Sequence, residues 1–215
     1  MADEFNFQRA FDKCKSAWEI FQKDMVNFGL TILLGSLAMG VTLGVLTGPV
    51  MIGILKSVRK LQKDEKVEFN DAFSAMSYFL PSFLLCLIIG AGIGIIMAIF
   101  WILTILIGAV TRGCGFCFMY PLVVIVWILC SALGQIIILL GLLLISEENA
   151  DFQGALKKAF SWITANKKKA MEFFVTVFIC SLATIVPVVG GIVAVGLIAI
   201  AATLYYDEEK QAGTI

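Results

Sequence analysis

Long apolar runs alternate with short charged stretches along this chain. The apolar runs cover residues 25–55, 79–111, 118–146 and 173–206. Each of them is longer than the roughly 20 residues that one membrane-spanning helix needs. The pattern therefore predicts an all-α, polytopic transmembrane helical bundle, with residues 1–215 forming a single integral membrane domain.

Basic residues between the apolar runs indicate the direction of the crossings. They form three clusters: Arg9, Lys13, Lys15 and Lys23; Lys56, Arg59, Lys60, Lys63 and Lys66; Lys157, Lys158, Lys167, Lys168 and Lys169. Short cytoplasmic loops carry an excess of Lys and Arg. We therefore expect all three clusters, and both chain termini, on the cytoplasmic side, with an even number of crossings between successive clusters.

The later runs divide readily into spans. Runs 79–111 and 118–146 each predict one span, and the nearly uncharged turn "TRGCGFCFMYP" between them is expected to face outward. Run 173–206 is interrupted by "VPVVGG", where Pro187 and two glycines can end one helix and start another. This run therefore predicts a short hairpin.

Run 25–55 allows two interpretations. Its residues would extend about 46 Å as one helix at about 1.5 Å per residue, which is long for one span and short for two. Charge placement favours two short helices with a turn near 38–42, and hence about six spans in short hairpins. The alternative is one long kinked helix, and five spans, with a ladder of small residues on one face: Ser36, Gly40, Gly44 and Gly48.

One short phrase occurs three times, each time in a charged stretch. Residues 7–11 read "FQRAF", residues 69–73 read "FNDAF" and residues 152–156 read "FQGAL". Each copy precedes an apolar run. We therefore predict amphipathic interfacial helices at about 5–24, 68–79 and 151–168, lying along the cytoplasmic headgroups.

The first and third copies have recognisable helix features. Asn6 and Asp151 are suitable N-caps. An apolar stripe with spacings of three and four residues follows the first cap: Phe7, Phe11, Cys14, Trp18, Phe21 and Met25. This periodicity is typical of an amphipathic helix.

The amino-acid composition favours a membrane protein over a soluble domain. The 215 residues are 60% hydrophobic and 15% charged, whereas soluble domains are roughly half apolar and a quarter charged. Lys plus Arg equals Asp plus Glu at 16 each. This balance gives no indication of nucleic-acid binding.

Four longer stretches carry a family resemblance: "LTGPVMIGIL", "KDEKVEFNDAFSAMSYFLPSF", "SEENADFQGALKKAFSWITAN" and "IVPVVGGIVAVGLIAIAATLYYDE". The pattern resembles uncharacterised bacterial polytopic integral membrane proteins related to the membrane domain of some glycerophosphoryl diester phosphodiesterases. The positions that carry it are Gly48, Pro49, Gly53, Phe69–Phe73, Ala155, Ser161, Asn166, Pro187, Gly190 and Tyr206. The resemblance implies a six-helix bundle with interfacial helices in the bacterial inner membrane. It does not imply the phosphodiesterase activity, because the catalytic domain of some relatives is not recognised in this sequence.

Side chains with catalytic chemistry are scarce. The chain has no histidine, the commonest general base and metal ligand. No ionisable residue lies deep within an apolar run, which counts against ion-coupled transporters, proton relays and intramembrane proteases. We therefore expect no enzyme activity, no metal and no cofactor.

Gln135, near the middle of run 118–146, is the deepest polar candidate, and Ser131 lies one helical turn before it. An unpaired amide is costly in hydrocarbon, so Gln135 is expected to hydrogen-bond to another helix. The preferred interpretation is a structural clasp. The alternative is the lining of a path for water or a substrate.

Cys114 and Cys117 form a Cys-x-x-Cys pair in the predicted outward turn. Such a pair can be structural or incidental, can form a disulfide or redox pair, or can supply half of a four-thiolate metal site. The second half of a zinc site is missing from the sequence. A structural or incidental pair is therefore preferred, and a disulfide comes next.

Lys167, Lys168 and Lys169 complete the candidate sites. Their simplest role is as a stop signal and anchor for anionic headgroups, and a specific lipid site is the alternative. The sequence thus predicts a non-enzymatic multi-pass membrane protein. It would act through lipid contact, through a membrane-protein partner or as a homo-oligomer; the alternative is a small transporter or channel subunit with a path near Gln135.

Overall fold

The computed structural model describes residues 6–111, 114–186 and 189–214. The structure is 88% helical, and the described ranges contain no β-strand, so the all-α prediction is confirmed. Eight α-helices follow in chain order: α1 (Phe7–Lys23), α2 (Met25–Val41), α3 (Thr47–Gln62), α4 (Phe79–Val110), α5 (Cys114–Glu148), α6 (Phe152–Ala165), α7 (Lys167–Ser181) and α8 (Val189–Gln211). Short 3-10 turns cover Phe69–Phe73, Met76–Tyr78 and Leu182–Ile185.

Three helical stretches in the described ranges are long and apolar enough to cross a membrane: Phe69–Val110, Cys114–Glu148 and Val189–Gln211. A fourth is added if α1 and α2, which meet at 97°, count as one broken span. The chain is therefore a membrane protein by length and composition of its helices. α2, α3 and α7 have 17, 16 and 15 residues. At about 1.5 Å per residue they are shorter than the roughly 30 Å hydrocarbon core, so the predicted six spans stay a prediction.

The structure divides run 25–55 between two helices. α2 ends at Val41, and a turn over 42–46 leads into α3. Gly44 has a φ of 85° within this turn, a conformation that glycine adopts without steric cost. Because Gly44 lies in the turn, the small-residue ladder from Ser36 to Gly48 is not one face of a continuous helix.

The three repeated phrases differ in structure. The Asn6 side chain accepts a hydrogen bond from the Gln8 N–H at 2.9 Å, and Asp151 accepts one from the Gly154 N–H at 3.2 Å. Helices α1 and α6 therefore begin at the predicted caps. The middle copy forms the 3-10 turn Phe69–Phe73, not a longer helix, and Ala72 in this turn is buried against α3.

α8 lies at the centre of the bundle and contacts α1, α2, α3, α5 and α7. Tyr205 and Tyr206 are among the largest fully buried side chains. Small residues allow the surrounding helices to approach. A Cβ on Gly196 would lie 2.6 Å from the Phe21 ring, so α1 packs on α8 where only glycine fits.

α4 and α5 form a long antiparallel hairpin that is mostly outside this bundle. Within the apolar 18-residue stretch that makes each helix a candidate span, only 11% of the residues are buried for Phe69–Val110 and 22% for Cys114–Glu148. The two helices pack closely on each other, since a Cβ on Gly134 would lie 2.4 Å from Ile93. Residues 112–113, which connect α4 and α5 in the sequence, and Pro187, in the predicted turn before α8, lie outside the described residues.

Candidate functional site

The three basic clusters meet the C-terminal acidic segment at one end of the bundle. Arg59 Nη1 lies 2.6 Å from Asp207 Oδ2, and Lys13 Nζ lies 2.8 Å from Glu208 Oε2. Lys169 Nζ lies 2.7 Å from Oε1 of Glu209, the next residue of α8. One residue from each cluster thus pairs with the last turns of α8. We call this end, with its ion pairs around residues 207–210, the charged end.

Glu209 connects three elements at the charged end. It is 1% exposed. Its Oε1 accepts a hydrogen bond from Lys169 Nζ at 2.7 Å, and its Oε2 accepts bonds from Trp162 Nε1 at 3.0 Å and Thr214 Oγ1 at 2.6 Å. A buried carboxylate requires such partners, because leaving it unpaired costs several kcal/mol. The side chain therefore holds α6 and α7 against α8.

Glu172 forms a second buried acidic position. Its side chain is 3% exposed and its Oε2 lies 3.7 Å from Arg9 Nη1, while the Asn6 N–H donates to Oε1 at 3.2 Å. Lys13 lies on the same side of α1. Burial and the neighbouring Arg9 charge lower the pKa of Lys13, as expected where cations crowd together in a half-buried site.

An apolar groove of about 220 Å³ lies between α5, α6 and α7. Its lining consists of Leu129, Leu133, Ile163, Lys167, Ala170, Met171 and Phe174. Lys167 is the only charged residue in this lining among the described residues. We call this feature the α5–α7 groove.

A polar depression of about 420 Å³ adjoins the groove and shares Lys167 with it. It is lined by Thr164, Ala165, Asn166, Lys167, Lys168 and Lys169. Lys167 and Lys168 are exposed, whereas Lys169 is half-buried in its bond to Glu209. Within the described ranges no side chain caps the first turn of α7, since the Asn166 amide donates to the Trp162 carbonyl instead. The predicted lysine triplet therefore divides into two exposed cations and one structural cation.

Several aromatic side chains of α1 are exposed on the surface beside the charged end. The predicted apolar stripe splits: Phe7, Phe11 and Trp18 are 58%, 53% and 40% exposed. The buried line instead contains Ala10 and Ala17, both fully buried. Phe21 of the predicted stripe is also buried, so the contact face combines this ring with the two alanines, which let α1 approach α7 and α8 closely.

Gln135 lies on the outer surface of α5, with its side chain exposed. It makes no hydrogen bond within the described part of the chain. Ser131 is half-buried, and its hydroxyl donates to the Ile128 carbonyl at 3.0 Å. The described residues therefore offer Gln135 no hydrogen-bond partner on another helix of the same chain, and both interpretations of Gln135 and Ser131 stay predictions.

Cys114 and Cys117 lie in the first turn of α5 as exposed free thiols. The described residues contain no group of three or more potential metal ligands among His, Cys, Asp and Glu. Sequence reasoning missed a different pair, Cys14 and Cys180, whose sulfur atoms are 3.7 Å apart between α1 and α7. They are 166 positions apart along the chain, and no local pattern connects them.

Comparisons of the chain with family models, curated proteins and solved structures find no match.

Proposed function

We propose that this chain is a non-enzymatic multi-pass membrane protein that binds an anionic phospholipid in the α5–α7 groove. The observation that carries the proposal is the union of an apolar groove with a basic rim. An acyl chain would lie along Leu129, Leu133 and Phe174, and the phosphate would reach Lys167 and Lys168. Apolar burial and charge attraction then act on the two ends of one molecule.

The surrounding charges support an anionic ligand at this position. Lys169 is already neutralised by Glu209 at 2.7 Å. Lys167 and Lys168 are exposed and add two positive charges beside the start of α7. A helix N-terminus carries a partial positive charge, which adds to that of the lysines. A zwitterionic lipid would gain less from this environment.

The same charges support a placement of the protein in the membrane. We place the charged end, with both chain termini, on the cytoplasmic side of a bacterial inner membrane, because Lys and Arg accumulate there. α2 with α3 and α7 with α8 would then act as short hairpins beside the long α4–α5 hairpin, giving six crossings. The exposed Phe7, Phe11 and Trp18 of α1 suit the headgroup region, where aromatic side chains collect.

A non-enzymatic role is supported by the chemistry of the charged end. The chain lacks histidine. The buried carboxylate of Glu209 bonds to Lys169 at 2.7 Å, and that of Glu172 lies 3.7 Å from the Arg9 guanidinium. A general base must lie within hydrogen-bond distance of the substrate atom whose proton it accepts. These carboxylates instead stabilise the contacts between α1, α6, α7 and α8.

The lipid site can be tested by native mass spectrometry of the delipidated protein with added phosphatidylglycerol or phosphatidylcholine. We expect the phosphatidylglycerol adduct to be several-fold more abundant. Lys167→Gln with Lys168→Gln should remove this preference, and Met171→Trp should weaken binding of both lipids because it fills the groove. The control is Lys63→Gln with Lys66→Gln, which also removes two exposed positive charges but does so after α3, outside the groove.

Two results would contradict the proposal. One is equal binding of both lipids by the unchanged protein, and the other is an equal loss in the control variant. Inorganic phosphate distinguishes the ligand source. If phosphate displaces the lipid at similar concentration, the site recognises free phosphate; if it does not, the acyl chain is part of what is recognised.

A further inference from the structure

Cys14 on α1 and Cys180 on α7 bring two free thiols into contact. Their sulfur atoms are 3.7 Å apart, although the residues are separated by 166 positions along the chain. The Cys14 thiol also donates a hydrogen bond to the Thr176 carbonyl oxygen at 3.7 Å. Thr176 lies one helical turn before Cys180, so both contacts place Cys14 against the same stretch of α7.

The register between α1 and α7 fixes this contact. At the start of α1 the Asn6 N–H donates to Glu172 Oε1 at 3.2 Å, and this pair is also 166 positions apart. Cys14 and Cys180 each lie eight residues further along the chain, from 6 to 14 and from 172 to 180. The two segments therefore run side by side in the same direction and keep one register over about two helical turns.

The two thiols differ in their access to reagents. Cys180 is only 2% exposed, whereas Cys14 is half-buried. A reagent in solution therefore meets Cys14 first, and Cys180 is shielded from it. One accessible thiol beside one shielded thiol suits a two-step thiol–disulfide exchange, in which the second thiol attacks the product of the first.

We infer that Cys14 and Cys180 form a reversible disulfide that fastens α1 to α7 when a small oxidising disulfide, such as glutathione disulfide, is present. In the first step the Cys14 sulfur attacks the small disulfide, and a mixed disulfide forms. One glutathione leaves as a thiol and carries the Cys14 proton.

The second step closes the internal bond. The Cys180 sulfur attacks the Cys14 sulfur of the mixed disulfide, and the second glutathione leaves as a thiol with the Cys180 proton. Two protein thiols are thereby oxidised to one disulfide, and one small disulfide is reduced to two thiols. An excess of small thiol reverses both steps.

The bond requires a small movement of the side chains. An S–S bond is about 2.05 Å long, so the sulfur atoms, now 3.7 Å apart, must approach by about 1.7 Å. Rotation about the two Cα–Cβ bonds moves the sulfur atoms over such distances. α1 and α7 can therefore keep their register while the disulfide forms.

The disulfide would supplement ion pairs that are partly open to solvent. Arg9 and Lys13 join α1 to Glu208, and their side chains are 35% and 20% exposed. Salt weakens such pairs, but it does not weaken a covalent bond. Oxidation would thus hold α1 on the bundle where its ion pairs are screened. Neither cysteine lines the α5–α7 groove, so this inference does not depend on the proposed lipid site.

The experiment uses the full chain with Cys114→Ser and Cys117→Ser, because these exposed thiols can react on their own. The protein in liposomes is equilibrated with mixtures of glutathione and glutathione disulfide, denatured with N-ethylmaleimide and digested for mass spectrometry. At oxidising ratios we expect a peptide pair joined through Cys14 and Cys180. Dithiothreitol should restore both thiols.

Single substitutions in this chain separate the two steps. Cys180→Ala should stop the reaction after the first step, so the glutathione adduct on Cys14 becomes several-fold more abundant. Cys14→Ala should give neither the internal disulfide nor an adduct on Cys180. Cys86→Ala is the matched control, because it removes a half-buried thiol of α4 and should leave the link intact. Circular dichroism checks the fold of each variant, and the chain with both thiols tests the link without a substitution in the core.

Hydrogen exchange measures the restraint on α1. Amides in a segment that opens locally exchange quickly, and a restraint on opening slows them. At high salt we expect the amides of α1 to exchange several-fold more slowly in the oxidised protein than in the reduced protein.

Three results would overturn the inference. Cys14 and Cys180 would both stay open to alkylation at every glutathione ratio, or either would link equally well to another cysteine, or α1 would exchange at the same rate in both states. A link that needs both Cys14 and Cys180, survives Cys86→Ala and slows exchange in α1 supports it.

Discussion

Among single residues, the charged side chains pair across helices that are distant in sequence. Arg59 bonds to Glu147 at 2.7 Å, 88 positions away, and to Asp207 at 2.6 Å, 148 positions away. The distribution of Lys and Arg in the sequence predicts that the basic clusters share one side. It does not identify their acidic partners, because those depend on tertiary packing that no local spacing encodes.

Substitution of Glu209 tests how much these ion pairs contribute to the stability of the fold. Glu209→Ala would leave Lys169 and the Trp162 indole N–H without their buried acceptor. We expect the free energy of unfolding to fall by about 3 kcal/mol or more, as when one partner of a buried ion pair is removed. A denaturant titration in mixed micelles measures this change.

Lys158→Ala provides the comparison for Glu209→Ala. Lys158 bonds to Glu148 at 2.6 Å, but its side chain is 54% exposed. Exposed ion pairs contribute little, so a loss of about 1 kcal/mol or less is expected. If both variants lose the same stability, burial of the Glu209 pair does not determine its strength.

For the helices and turns, element type and helix caps follow from sequence, but some boundaries do not. The caps Asn6 and Asp151 begin α1 and α6 as predicted. The turn in run 25–55 lies at 42–46 and not at 38–42, since apolar periodicity alone does not locate a break between two apolar helices. The phrase at 69–73 is confined to a short turn because it packs directly on α3.

That contact between α3 and the turn can be tested at Gly53. A Cβ there would lie 2.3 Å from the Ala72 carbonyl oxygen and 2.6 Å from that of Asp71. These are backbone atoms and cannot move aside as a flexible side chain can. Gly53→Ala should therefore destabilise the fold by about 1–3 kcal/mol through overpacking, measured by the same denaturant titration.

The matched substitution is Gly40→Ala in α2. A Cβ at Gly40 would meet no atom within 4 Å, and alanine is the better helix former by about 1 kcal/mol. Gly40→Ala should be neutral or slightly stabilising. Equal destabilisation of both variants would show that Gly53 is not in close contact with the Phe69–Phe73 turn.

The molecule as a whole consists of a helical bundle packed around α8 and of the long, mostly exposed α4–α5 hairpin. Composition predicts a membrane protein, and three to four helices have the necessary length and apolarity. The number of crossings is not predictable from apolar length alone, because α2, α3 and α7 fall short of a full span. The α5–α7 groove was also not predictable, since it forms between residues such as Leu133 and Met171 that are distant in sequence.

The proposed orientation, with the charged end in the cytoplasm and the α4–α5 tip on the opposite side, underlies both the lipid site and the six crossings. It can be measured directly by labelling intact cells with a membrane-impermeant maleimide, using a variant whose only thiols are Cys114 and Cys117. The comparison is a variant in which Lys63→Cys supplies the only thiol. We expect the first variant to be labelled in intact cells and the second only after the membrane is opened. Labelling of Lys63→Cys in intact cells, with Cys114 and Cys117 protected until the membrane is opened, would refute this orientation.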